Sequence, residues 1–173
     1  MADDTRDGIE PVEGAALRAL WKRVAAEQVA MLSTQDAEGG IATRPVMPVK
    51  VEPVGRVWFF TAIGGGIADE IRRDARVHLV FMNAADDLYV ALSGEASVLH
   101  DPDRARELWS PAAGVWYPQG PDDANLGLAR IDVHRGDYWD MKDASLVRFF
   151  KLAGASVLGV RPDDVATHRR FTR

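Results

Sequence analysis

Gly64, Gly65 and Gly66 stand in a row where an apolar run, "VWFFTA", gives way to a short amphipathic one, "IADEIRRD". A strand ending at Thr61 and a helix beginning near Ile67 leave about five residues to reverse direction, and glycine takes positive φ there without steric cost. Amides that converge ahead of a helix N-terminus make a partly positive cup, suited to a phosphate through hydrogen bonds and the helix dipole. Thr61 could add a hydroxyl. The same residues could equally form nothing more than a flexible corner.

Arg44 is the second residue with chemistry to offer. It lies inside the apolar run "IATRPVMPVK", where Pro45 restricts the strand to an edge or a barrel mouth. Its guanidinium could point outward to solvent, or its planar fork of donors could grip a phosphate or an electron-rich ring.

Other reactive constellations are missing. "GGGIADE" is no dinucleotide fingerprint, because Asp69 stands where the third glycine belongs and no βαβ repeat surrounds it. There is no phosphate-loop glycine-lysine pair, no serine in the strained elbow of hydrolases, and no pair of histidines four apart. His78, His100, His134 and His168 are scattered singly, and a lone strand histidine such as His78 reads as structural. Asp86 with Asp87 and Asp122 with Asp123 fall in polar connections, which reads as solvated loop. With no cysteine in the chain, disulfides, thiolate zinc sites and a catalytic thiol are excluded.

The elements that must carry Gly64–66 and Arg44 come from a chain of 173 residues, the size of one domain, with 47% hydrophobic content. A balance of 21 basic against 26 acidic residues, net −5, argues against a phosphate-backbone surface and so against nucleic acid. Arg72, Arg73 and Arg76, and the terminal "HRRFTR", read as a solvated helix end or tail. The acidic opening has no signal-like core, and no apolar run approaches the roughly 20 residues of a membrane span. The expectation is a cytoplasmic protein with a disordered tail over residues 1–13, followed by a single domain over 14–173.

Leu17, Leu20, Trp21 and Val24 recur at spacings of three and four, which predicts a helix from Gly14 to Gln28 lying on a core. "VAMLSTQ", "IATRPVMPVKV" and "VWFFTA" are β-rich runs separated by the turns "DAEGG" and "EPVGR", and together predict an antiparallel meander. "RVHLVFMN", "DLYVALSGEASVLH" and "LGLARIDVHRGDYWDM" supply three further strands, the second bent or bulged at Gly94. A helix opens at "DPDRARELW" with Asp101 as N-cap and Pro102 at its first position. "SLVRFFKLAGASVLG" suits a C-terminal helical segment. The fold class is mainly β with flanking helices, a six-stranded antiparallel barrel that is closed or nearly so.

Taken in order, "VAMLSTQ…IATRPVMPVK", "VWFFTA", "ADEIRRDARVHLVF", "ALSGEASVLHD", "ELWSPAAGVWYPQG" and "DYWD" resemble the pyridoxamine-phosphate-oxidase-like flavin-binding split barrels, above all the general-stress-protein branch. The resemblance spans residues 17 to 141, and "LWSPAAGVWYPQGPDD" is its most distinctive piece. It implies a split barrel paired as a homodimer, with FMN between subunits. By position, Arg44 and the adjoining Pro45 would lie at the flavin or its phosphate, Phe60 and Thr61 along ring and phosphate, Trp116 and Tyr117 in the aromatic segment near the pocket, and Trp139 facing the same cavity. Core or dimer packing is the alternative for the three aromatics. Where the family carries a serine and basic residues to clamp the phosphate, this chain has Gly65, Gly66 and Ile67. Charge-assisted hydrogen bonds are worth on the order of 1.5–3 kcal/mol each, so losing two weakens affinity by roughly a thousandfold unless amides, Arg44, Lys50 or Arg72 compensate. The resemblance thus implies a flavin-dependent oxidoreductase, or else a dimeric flavin- or ligand-binding stress protein without turnover. A deazaflavin or haem is a third cofactor class, and haem would need an axial ligand.

Overall fold

A computed structural model describes residues 10–141 and 166–172. The run "VWFF" is apolar at every position, and its strand, β5 (Arg56–Ala62), is buried on both faces. Val57 and Phe59 face the interior of a curled sheet with Leu32, Leu79, Phe81, Leu92 and Ile131. Trp58 and Phe60 face the other way, with Leu126 and Leu128, under the helix α3 (Pro102–Leu108). The helix α1 (Gly14–Val24) lays its expected stripe into the interior, with Leu20, Trp21 and Val24 buried and Trp21 edge-on to Phe171 at 5.6 Å.

The two expected reversals are present. β2 (Ala30–Gln35) and β3 (Ile41–Val46) form an antiparallel hairpin whose turn has Gly39 at φ 85°, with the Asp36 carboxylate accepting from the Gly40 amide at 2.7 Å. β4 (Pro48–Glu52) and β5 form the next, turned at Gly55 with φ 74°. The middle run is not one strand, however. It breaks at Met47, because Pro48 lacks an N–H and restricts the residue before it. Its halves go to opposite ends of the sheet, so the expected meander is two separate hairpins.

β6 (Arg76–Asn83) joins β2 to β7 (Leu88–Leu99), and β7 runs along β8 (Leu126–Met141). The other edge of β8 is divided. Residues 126–132 pair with β5, and residues 135–141 pair with β9 (Ala166–Thr172). The path β3-β2-β6-β7-β8-β5-β4 therefore begins and ends on strands joined by Met47 alone, and the sheet curls into a half-barrel. The expected bulge occurs between Ser93 and Gly94, where an added Cβ would lie 2.5 Å from the Asp132 carbonyl oxygen. Asp101 caps α3 as expected, accepting from the Arg104 amide at 2.9 Å.

The split-barrel class holds, with nine strands among the described residues in place of six. The additions are one strand from the splitting of the broken run and two terminal strands. β1 (Glu10–Pro11) pairs in parallel with β9, and Val12 is buried, so the described part of the expected tail is attached to the sheet. "HRRFTR" is mostly strand, not tail, and its Phe171 is buried in the core. The C-terminal helical segment falls outside the described residues.

Candidate functional site

β5 ends at Ala62 and the helix α2 (Gly66–Arg73) begins four residues later. None of Gly64, Gly65 or Gly66 has positive φ; the N-cap Gly65 is extended at φ −99°, ψ 162°. The expected conformational reason for glycine is therefore not the operative one. At Gly65 the reason is space, since an added Cβ would crowd the Ala62 Cβ and carbonyl at 3.2 Å. At Gly66 nothing lies within 4 Å, so the backbone there is bare.

Two loop amides are used internally. Gly64 N donates to Asn125 Oδ1 at 3.1 Å and Gly65 N to the Ala62 carbonyl at 3.0 Å. The amides of Gly66, Ile67 and Ala68 meet no acceptor among the described residues. They open the first turn of α2, where the dipole is positive. Thr61, the last buried residue of β5, is 4% exposed, and its hydroxyl too has no partner among the described residues. Asn125 was not anticipated. It holds the loop twice, because its carbonyl also accepts from Ile63 N at 2.8 Å, and a lone asparagine in "DDANLG" gives no sequence signal of that.

Arg44 is on the edge strand β3, next to Pro45, but its side chain is not free. Nη2 lies 2.6 Å from Glu70 Oε2, and Nη1 donates to the Thr34 hydroxyl, which donates to the same carboxylate oxygen at 2.5 Å. Glu70 is on α2, so the triad clamps that helix to the β2/β3 hairpin and neutralises Arg44's charge. Both side chains are mostly buried, at 24% and 17% exposure.

Arg72 is at the loop. Nη2 donates to the Ile63 carbonyl at 2.8 Å and Nη1 lies 2.9 Å from Asp69 Oδ1. Helical side chains lean toward the N-terminus, which carries this guanidinium back over the first turn. Its pair with Asp69 is exposed and worth only about 0.2–1 kcal/mol. Glu70 and Arg72 are two residues apart, about 200° around the helix, so the two arginines flank α2 on opposite sides. Lys50 is exposed on β4, opposite Trp58.

The aromatics divide. Phe60 packs against Trp109 at 5.6 Å and Tyr117 at 6.0 Å, on the face of β5 opposite Thr61. Burial raises the Tyr117 phenol's pKa above its ordinary value, so it stays protonated. Trp116 is turned out, 72% exposed. Trp139 is eleven residues beyond Leu128, the partner of Phe60, about 35 Å along the strand. There it stacks on His168 at 4.9 Å. The structure thus gathers Thr61, Gly64–66 and Ile67, sets Arg44 on the flank of the same helix and Phe60 with Tyr117 behind the strand, and leaves Trp116 and Trp139 apart within one chain.

A separate open hollow of about 400 Å³ lies on the outer face of β7 and β8, lined by Glu95, Ser97, Arg130, Asp132 and His134 among others. It contains none of the residues expected at the cofactor site.

A family model described as pyridoxamine 5'-phosphate oxidase like matches residues 15–163. Among solved structures, the chain resembles the general stress FMN/FAD binding protein of Xanthomonas citri, at 25% identity and TM-score 0.64, over 84% of this chain and 94% of that one. It also resembles a Clostridium acetobutylicum protein related to general stress protein 26 of B. subtilis, of the pyridoxinephosphate oxidase family. That likeness, at 20% identity and TM-score 0.65 over 73% and 89% of the two chains, concerns the fold. Protein bli-3 of Neurospora crassa is 24% identical over 118 residues, 62% of this chain and 56% of bli-3, so the chain spans just over half of that relative's length.

Proposed function

The chain belongs to the pyridoxamine 5'-phosphate oxidase like family, and on that premise we propose that it binds FMN with the phosphate at the start of α2. One observation carries this reading: the amides of Gly66 and Ile67 at the start of α2, and the hydroxyl of buried Thr61 near the end of β5, have no partner among the described residues, while the Ala68 amide is wholly covered. This donor set suits a phosphate, and the bare Gly66 backbone lets one approach. Arg44 borders the same helix and would meet the flavin with the guanidinium hydrogens that Thr34 and Glu70 leave unused, while Pro45 is on the other face of β3.

Bound FMN supplies hydride or electron transfer, which would make the protein an oxidoreductase. The chain's residues bind and orient. Thr61 and the loop amides hold the anionic end, Asn125 keeps the loop in place, and Glu70 keeps Arg44 from solvent. The protonated Tyr117 and Phe60 stiffen β5 from behind. Carriage of flavin without turnover is the second reading, favoured by a loop whose side-chain partners Asn125 and Arg72 are engaged in holding its backbone.

We assign a homodimer from the outer face of β2, β3 and β6, where Met31, half-exposed, lies beside Pro45 and Val80, and Ile41 and Met82 are largely exposed. Trp116 and Trp139 would reach a cofactor only across such an interface. No described helix is long and apolar enough to cross a membrane; the proposed place of action is the cytoplasm.

Titration of FMN with the purified protein tests the reading. Saturable quenching of flavin fluorescence is expected, with FMN bound at least tenfold more tightly than riboflavin because only FMN has the anion. Equal affinity for the two, or no quenching, contradicts it.

A further inference from the structure

We infer that Arg72 is the residue that pairs with the phosphate, taking over the role of the basic side chain missing at Ile67; this rests on the FMN reading above. The inference begins from a difference between two arginines. Arg44 is neutralised by Glu70, shares its carboxylate with the Thr34 hydroxyl, and is largely covered. A dianion brought to it would meet Glu70's charge at close range. Arg72 has no comparable tie. Its guanidinium is about half exposed, and its two partners are the exposed carboxylate of Asp69 and the carbonyl of Ile63, which belongs to the glycine loop itself.

Position supports the exchange. The Arg72 side chain lies back over the first turn of α2, its Nη2 on the Ile63 carbonyl at 2.8 Å, which brings it to the turn whose Gly66 and Ile67 amides meet no acceptor among the described residues. Turning from Ile63 and Asp69 toward an anion on the first-turn amides moves only the end of a flexible side chain. A planar fork of donors suits a phosphate bound in two-point fashion. Asp69 in the first turn suits an empty helix start, where a carboxylate complements the dipole, and releases Arg72 when a phosphate takes over that function.

The test compares FMN and riboflavin binding to the wild type, Arg72→Ala, Arg72→Lys and Arg73→Ala, by fluorescence quenching at low and moderate salt. Arg72→Ala is expected to lower FMN affinity about ten- to a hundredfold and to leave riboflavin affinity unchanged. Arg72→Lys should recover part of the loss, and Arg73→Ala none of it, since that variant binds like the wild type. The salt dependence of FMN binding should flatten in Arg72→Ala. An FMN affinity within twofold of wild type in Arg72→Ala overturns the inference and leaves the FMN reading standing. A parallel fall for riboflavin also overturns it, because that is the mark of a loop brace. Wild-type protein that binds neither flavin overturns both.

Discussion

Phe59→Ala is expected to lower stability by about 3–5 kcal/mol and the melting temperature by roughly 6–20 °C, read by circular dichroism on heating. Phe59 is 1% exposed and faces the interior at the middle of β5. Its strand is laddered on both sides, to β4 at Pro48 and to β8 at Ala129. Strands held on two edges cannot move in to fill the space a lost ring leaves, so the cavity contribution is expected near the top of its range. A loss below about 1 kcal/mol would show that the interior is loosely packed and that the curl does not close as described.

Arg44→Ala should destabilise by about 1–3 kcal/mol, a partly exposed version of the larger cost of stranding a fully buried charge. The arginine's loss leaves the Glu70 carboxylate mostly covered, with only the Thr34 hydroxyl to meet it. The discriminating comparison is the double substitution Arg44→Ala with Glu70→Ala, which removes both charges. It should be nearer to wild type than the sum of the single changes, and urea unfolding of the four proteins measures the coupling. Additive effects would mean that Arg44 does not clamp α2 to the hairpin.

Local signals in the chain were faithful to what the structure contains. The spacing of Leu17, Leu20, Trp21 and Val24 led to α1, Asp101 and Pro102 to the start of α3, and Gly94 to a bulge, because each is a property of residues adjacent along the chain or around a helix. Long-range pairing was not legible. Nothing in "IATRPVMPVKV" says that its two halves part at Met47, since either half alone is a good strand and only the curl of the whole sheet sends them to opposite ends. "HRRFTR" is too polar to announce a strand that is ordered mainly by its ladder with β8.

The site divides in the same way. The glycines at 64–66 marked the strand-to-helix junction, though for reasons of space and bare backbone instead of positive φ. Arg44 stood out as a charge within an apolar strand. Its partner Glu70 is 26 positions away and one acidic residue among many, and Asn125 lies 61 positions from Gly64. Arg72 looked distant because a sequence gives no measure of how far a helical side chain leans back over its own first turn.

The backbone amides themselves are the most direct witnesses. In a ¹⁵N-labelled sample titrated with FMN, the amide resonances of Gly66 and Ile67 should shift the most as the site fills, and riboflavin should leave them nearly unmoved. If FMN saturates the protein while those two amides stay in place, the phosphate is held elsewhere and the site described at the start of α2 is wrong.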